Sequence, residues 1–497
     1  MAAIAPVPPI PIKSARSKQH GLAFWMERVL EECDRAAADF AADPVHDLRV
    51  ALRRCRSMAD GLMALDPDHS WKEMKRSGKP LFSALGELRD VQVMQEWIEQ
   101  LGSPGGLLGN ALMSILAARE AEHKRRANIA LQQFDRRNWK KWMNSLPRRA
   151  SRIRTGSLIF KHLALERWTQ AHDLHRRAIR SRSKTAWHNL RIGIKRFRYI
   201  VENFLPEQHE LWIDDLKHLQ DLLGEIHDLD VLWDTVVQMG AAQDPSALQW
   251  HEKILEERAR RIELYREKML GKHSLWFAWR AQLPTGDEVQ KAILLRLKLW
   301  ASFLDPDFQH SRHVARLAVQ LYDGLATNGS QVQEEHNLLE AAAFLHEIGL
   351  SKREKAHHKT AYRMIAKLPP PLGWKLETLR LAATVSRYHR GALPRAGQQS
   401  LARLPKAERV VAQKLAGILR LANAFDADHR GRIQRLQVRE QNGYILIAAQ
   451  GYDARDRMAE KIAAGRHLLE MVIRRPIVVK RMTPNLRSNN REVTIAK

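Results

Sequence analysis

Residues 46–56 read HDLRVALRRCR, and residues 188–198 read HNLRIGIKRFR. Each segment sets a histidine and several strong bases at helical spacing. At about 100° per residue, with His46 at 0°, Arg49, Arg53 and Arg56 fall near −60°, −20° and −80°, inside one arc about 80° wide. Leu48, Leu52, Cys55 and Ala59 fall at roughly 180–240° on the same wheel. His188, Arg191, Lys195 and Arg198 repeat the arc, with Leu190, Ile194, Phe197 and Val201 as its apolar side. A solvated helix face ordinarily mixes charge signs, whereas neither arc contains an acid. The chemistry open to such stripes is anion binding, because the planar guanidinium fork can grip phosphate oxygens bidentately. Two copies of one stripe can line a single groove or pore.

The second half carries a different set of reactive residues. From residue 310 it reads HSRHVARLAVQLYDGL, then AAAFLHEIGLS, HHKTAYRMI, VSRYHRG and LAGILRLANAFDADHR. Histidines and carboxylates on successive helices can converge on a dinuclear metal centre that activates water.

The elements that must position these residues are mostly helical. Periodic segments rich in Ala, Leu, Glu, Arg and Gln fill residues 18–280, with Pro206 as one interruption. The stripes belong to an internal repeat, since KPLFSALGELRD at 79–90 returns as KHLQDLLGEIHD at 217–228. The offsets are 142 residues for the stripes and 138 for this second motif, so the first half reads as two copies of one helical unit. A boundary falls near Leu283–Gly286. Helical patterning then runs from about Glu288 to Phe425, with breaks at Pro369–Gly373 and Leu393–Gly397. Residues Arg435–Arg439 and Tyr444–Ala448 flank Asn442-Gly443 and predict a β-hairpin. A helix at about Arg455–Ile473 and a strand at Pro476–Val479 follow.

Composition narrows the function classes. The 497 residues hold 82 Lys+Arg against 56 Asp+Glu, a net charge of +26, which calls for a polyanionic partner. The excess is steepest over residues 121–198, with 22 Lys/Arg and only 4 Asp/Glu. Two cysteines, Cys33 and Cys55, exclude a disulfide scaffold or a cysteine-rich zinc site. No run of 18 apolar residues exists, so no membrane span or membrane partner is expected. The apolar start precedes its positive charges, the reverse of a secretory signal, and a cytoplasmic protein is expected. Aromatics make up only 7% of the chain and none lies in the basic arcs, which argues against nucleic acid as a specific ligand.

The two His-x-Leu-Arg stripes and the two Leu-Gly-Glu-x-x-Asp segments, Leu85–Asp90 and Leu223–Asp228, resemble the CHAD domain, the conserved-histidine α-helical domain of prokaryotes. The resemblance covers about residues 18–282. It implies two four-helix bundles related by pseudo-symmetry, with a basic groove for inorganic polyphosphate. On the matching positions the polyphosphate ligands would be His46, Arg49, Arg53, Arg56, His188, Arg191, Lys195 and Arg198, with Lys79 and Lys217 added and Arg89 and His227 as further candidates. Glu87, Asp90, Glu225 and Asp228 would orient these bases by ion pairs. Residues 288–480 resemble an HD-type domain, and more closely the C-terminal HD-like region of the exopolyphosphatase/guanosine pentaphosphatase family. His313, His346, His358 and His389 sit where that pattern places its histidines, and His313, His346, Glu347 and Asn423 would form the metal site. Two positions depart: His346-Glu347 carries a longer carboxylate, and Asn423 stands where an Asp is expected. A lost charge weakens divalent-metal binding, so HD phosphohydrolase activity is disfavoured and no catalytic residue is assigned.

The expected fold is therefore mainly α: duplicated four-helix bundles, then a helical HD-like domain with a small C-terminal β-hairpin. Residues 1–17 and 483–497 read as a flexible tail and a basic tail. The expected function is polyphosphate binding without a cofactor, with association with polyphosphate granules. The HD-like part would be a second polyphosphate surface through Lys359, Arg387, Arg390, Arg430 and Arg432. The alternative is a metal-dependent phosphohydrolase acting on polyphosphate or a nucleotide.

Overall fold

The computed structural model describes residues 21–38, 40–101, 107–181, 183–238, 245–325 and 331–482; the two expected tails, 1–17 and 483–497, lie outside them. The chain divides into two compact units at Leu283–Pro284.

The first unit is all helix: α1 (Leu22–Ala38), α2 (Ala42–Leu62), α3 (Ser70–Ser77), α4 (Lys79–Leu101), α5 (Leu107–Gln132), α6 (Arg136–Ala150), α7 (Leu158–Arg180), α8 (Lys184–Phe204), α9 (Pro206–Gln238), α10 (Pro245–Met269) and α11 (Leu275–Ala281). The repeat maps α1, α2, α4 and α5 onto α7, α8, α9 and α10. Where the first copy breaks between α3 and α4 at Gly78, the second runs as one 33-residue helix opened by Pro206, a residue suited to a first helical position because its missing N–H has no intrahelical partner there. The short helices α6 and α11 close the copies, packing on α1 and α7.

The two copies meet along α2 and α8. The apolar sides of both stripes form this core: Leu48, Leu52, Cys55, Ala59, Leu190, Ile194, Phe197 and Val201 are all 0% exposed. Gly61 permits the close approach, because a Cβ there would stand 2.5 Å from Cε2 of Phe204. Asn203 Nδ2 donates to Ser57 Oγ at 2.9 Å across the same seam. A second shared core joins α4 and α5 to α9 and α10 through Val91, Met94, Leu112, Leu229, Leu232 and Trp250.

The second unit contains α12 (Gly286–Leu304), α13 (Phe308–Leu325), α14 (Gln331–Leu345), a 3-10 turn (Ile348–Ser351), α15 (His357–Ile365), α16 (Leu376–Arg387), α17 (Gln399–Ala402) and α18 (Lys406–Ala424). Strands β1 (Leu436–Gln441) and β2 (Tyr444–Ala449) pair antiparallel. Gly443 takes φ +88° in the turn between them, a conformation open to glycine without a Cβ penalty. The expected hairpin is extended: α19 (Arg457–Ile473) crosses over to β3 (Ile477–Arg481), which pairs parallel to β2. A parallel neighbour needs such a crossover. The fold is mainly α with a small sheet near the C-terminus, as expected.

Candidate functional site

In the first unit the two basic stripes lie on α2 and α8, and burial of their apolar sides brings His46, Arg49, Arg191 and Lys195 to three cavities, whose linings do not include Arg53, Arg56, His188 or Arg198. One, of about 390 Å³, is lined by Arg49 from the first copy and Arg191 and Lys195 from the second, with Phe82, Asp90, His227 and Asp228. A second, of about 300 Å³, shares Arg191, Lys195 and Asp228 and adds Gln220, Asp221 and Glu225. A third, of about 380 Å³, holds His46, Arg49, Arg89 and Lys124.

The electrostatics of these bases are unusual. Among the described residues, Arg49, Arg53, Arg191 and Lys195 have no carboxylate within ion-pair distance. Arg49 is half-buried, its Nε is buried without a hydrogen bond, and burial depresses its pKa. Burial, with Arg191, Arg49 and Arg53 nearby, lowers Lys195 to about 8. Burial raises Asp228 to about 6 despite the nearby Arg191. It likewise lowers His227 to about 4, with help from Arg191 and His188. A half-buried group of like charges left unpaired raises the energy of the folded state unless an anion completes it.

The remaining candidates stand differently. Arg56 Nη1 donates to the Lys75 carbonyl at 2.6 Å and its guanidinium sits 4.9 Å from the Phe82 ring centre. Arg198 lies 3.8 Å from Glu202, which also takes Arg54 at 2.6 Å. His188 lies 4.8 Å from His227, ring to ring. Lys79 and Lys217 are exposed and line none of the three cavities. The acids do not pair with the stripes. Glu87 lies 3.3 Å from His123 on α5 and Glu225 lies 2.8 Å from Arg261 on α10, while Asp90 and Asp228 form no ion pair among the described residues. Phe82, which sits beneath both Arg49 and Arg56, went unnoticed in the sequence.

In the second unit the reactive residues converge on Glu347, at the end of α14. His357 Nε2 approaches its carboxylate at 2.9 Å, His389 Nε2 at 3.3 Å and His346 Nε2 at 3.6 Å. The other ring nitrogens all meet backbone carbonyls: His346 Nδ1 with Ala343 at 2.6 Å, His357 Nδ1 with Glu354 at 3.0 Å and His389 Nδ1 with Ser386 at 2.8 Å. A carbonyl accepts only, so each Nδ1 carries a proton and each Nε2 is the atom turned to Glu347; the carboxylate raises the His357 pKa against the effect of burial. His346 Nε2 is buried without a hydrogen bond. Burial pushes Glu347 up, yet hydrogen bonds from His357 and His389 outweigh it and hold the carboxyl far below its usual range. Burial lowers His346 to about 3.

Nε2 atoms that face one buried carboxylate, with their far nitrogens fixed by carbonyls, become the donor arrangement of a divalent cation site once a cation displaces the Nε2 protons. Two overlapping triads meet ligand spacing, Glu347/His357/His389 and His310/His346/Glu347. The second is compromised, because His310 Nδ1 contacts Asp426 at 2.8 Å and its Nε2 contacts the Asn423 oxygen at 3.0 Å. Both ring nitrogens of His310 are thus engaged, and Asp426 raises its pKa against the effect of burial.

This geometry corrects the sequence-derived metal set. His346 and Glu347 are at the centre, but His313 is not; it contacts Arg316 at 2.8 Å. Its place is taken by His310, which lies on the buried face of α13. His357 is likewise buried and reaches Glu347, whereas the adjacent His358, half-buried, belongs to neither triad. Asn423 contacts His310 rather than Glu347.

A duplicated helical domain followed by a histidine-bearing helical domain defines the class. Residues 24–237 match the family model of the CHAD domain, and residues 298–460 match that of the Ppx/GppA phosphatase, domain III. The two matches follow one another in that order along the chain. Helix α10 lies beyond the first match, although it completes the second copy. The crystal structure of the CHAD domain from the plant Ricinus communis is similar at 22% identity, over 53% of this chain and 90% of that one, with a TM-score of 0.34. No curated protein matches the chain.

Proposed function

We propose that this protein binds inorganic polyphosphate in a groove formed by the three cavities of its first unit. The observation that carries the reading is the set Arg49, Arg191 and Lys195, which line these cavities, with Arg53 near Lys195: four strong bases from both copies, partly buried and, among the described residues, without a carboxylate within ion-pair distance. A chain of phosphates supplies many acceptor oxygens along one line and meets bases spaced along two helices. His46, His188 and Arg56 extend the contact; Arg198 is tied to Glu202 and serves the groove wall. Both domain families are polyphosphate-related and favour the same reading, which extends to residence on polyphosphate granules. In the second unit Lys359, Arg387, Arg390 and Arg430 offer further phosphate contacts, Arg387 Nη1 being buried with no hydrogen-bond partner, whereas Arg432 is held by Asp428 and Asp456, each at 2.7 Å. Titration with polyphosphate of defined length tests the proposal. Saturable binding that weakens at least tenfold when Arg49, Arg53, Arg191 and Lys195 are changed together to Ala supports it; unchanged affinity contradicts it.

A second reading is favoured by one observation, the three Nε2 atoms that face the Glu347 carboxylate at 2.9, 3.3 and 3.6 Å. It assigns a single divalent cation to His346, Glu347, His357 and His389, with His310 withheld by Asp426 and Asn423. A bound cation of this kind supplies Lewis acidity toward a phosphoryl oxygen. The expected outcome is about one zinc or similar ion per purified chain by elemental analysis, in line with its His₃-carboxylate donors. Glu347→Gln and His389→Ala should each remove it, and chelation should lower the melting temperature of the wild type. A metal content unchanged in both variants would end the reading. Phosphate release from polyphosphate, followed with and without the added ion, separates a catalytic ion from a structural one.

A further inference from the structure

The duplication allows the two copies to be compared residue by residue, and they differ at one cavity. Offsets of 142 for α2/α8 and 138 for α4/α9 are set by the repeat, and 138 also aligns α5 with α10. At that offset the Glu87–His123 pair becomes Glu225–Arg261. The Gln92–Glu120 hydrogen bond becomes the Asp230–Arg258 ion pair. The framework is conserved, but its filling is not. Val45 lines the 380 Å³ cavity of the first copy, whereas its counterpart Trp187 is 4% exposed and packs edge-to-face on Tyr265 at 5.4 Å. The counterpart of Tyr265 is Ala127, and that of Ile262 is the cavity residue Lys124. The second copy fills with two aromatic rings the space that the first leaves open.

The lining of the open cavity is of two kinds. Phe40, Val45, Leu85 and Leu88 supply apolar wall, with Leu85 and Leu88 buried. His46, Arg49 and Lys124 supply positive charge. Between them stands Glu120, whose two oxygens accept from Gln92 Nε2 at 3.3 Å and Gln95 Nε2 at 3.1 Å. No base lies within ion-pair distance of it among the described residues, so its carboxylate is oriented by amides and keeps acceptor capacity. A bare phosphate polymer has no use for the apolar wall, and a neutral apolar ligand has no use for the bases. The volume lies in the range of small-ligand sites.

We propose that this cavity binds a nucleoside triphosphate: the base against Phe40, Val45, Leu85 and Leu88, a ring or exocyclic N–H donating to Glu120, and the phosphates on His46, Arg49 and Lys124. The site extends the anion reading of the groove, with which it shares His46 and Arg49. A bound nucleotide therefore competes with polyphosphate at Arg49.

Calorimetric titration of the full chain with ATP, GTP and inorganic tripolyphosphate, at one salt concentration, tests the proposal. At least one nucleotide should bind tenfold or more tighter than tripolyphosphate. Val45→Trp, which copies the filled state of the second repeat, should abolish that preference. Glu120→Gln, a near-isosteric change, should also reduce the preference and serves if Val45→Trp unfolds. Equal affinity for nucleotide and tripolyphosphate, or a preference untouched by the folded variants, overturns the proposal. Failure of wild-type protein to bind long-chain polyphosphate would instead count against the groove, independently of the nucleotide arm.

Discussion

At the residue level, charge alone does not explain the first unit; the absence of partners does. Arg54 and Arg198 share Glu202, and Arg261 pairs with Glu225, whereas Arg49, Arg53, Arg191 and Lys195 meet no carboxylate within ion-pair distance among the described residues. Two perturbed groups make this testable by pH. Lys195 is lowered to about 8, so it is charged at pH 7 and neutral at pH 9, and polyphosphate affinity should fall across that window. Loss of one close charge at the protein surface is worth about 1 kcal/mol or somewhat more, roughly fivefold or greater, and Lys195→Met should flatten the fall. Asp228, raised to about 6, loses its negative charge as pH drops from 7 to 5. Affinity should rise over that range, and rise less in Asp228→Asn. Identical profiles for wild type and both variants would refute the assignment. Residue choice was where sequence reading reached its limit. His310 and His313 are one turn apart, yet only His310 lies on the buried line with Val314, Leu317 and Leu321. His357 shares its face with buried Ala361 and Ile365. In both cases the helical period of the apolar residues points to the inward histidine, a signal more specific than motif position.

At the scale of elements, the crossing of α2 and α8 unites two stripes that are 142 residues apart in the chain. Both stripes and their apolar sides were legible as a helical repeat, because period and composition agree over the whole of each segment. The packing partner of each helix was not, since nothing local specifies that Gly61 meets Phe204. Gly61→Ala measures that contact. Helix propensity alone favours Ala by about 1 kcal/mol, but the added Cβ meets Phe204 at 2.5 Å and Ile200 at 3.1 Å. Phe204 cannot readily yield, being stacked on Phe160 at 4.2 Å. Overpacking costs of about 1–3 kcal/mol should therefore reverse the sign, giving a lower midpoint in denaturant unfolding and weaker polyphosphate binding. A stabilised variant would show that α2 and α8 are further apart than described. The C-terminal sheet illustrates the same division: Asn442-Gly443 announces the hairpin, while pairing of β3 beside β2 depends on the long-range crossover through α19.

For the molecule as a whole, two units carry two kinds of chemistry, one built from unpaired bases and one from convergent imidazoles. The net charge of +26 admits any polyanion, and its distribution narrows the choice. No helix among the described residues is long and apolar enough to cross a membrane, and aromatic platforms for successive bases are lacking in the stripes. The central claim is that four bases from both repeats neutralise one phosphate polymer. Its most direct test is the salt dependence of long-chain polyphosphate affinity in the wild type and in the variant with Arg49, Arg53, Arg191 and Lys195 all changed to Ala. If each base displaces condensed counter-ions as on a single-stranded polyanion, the slope of log K against log salt should become shallower by roughly 3 in the variant. An unchanged slope, with affinity intact, would contradict the account.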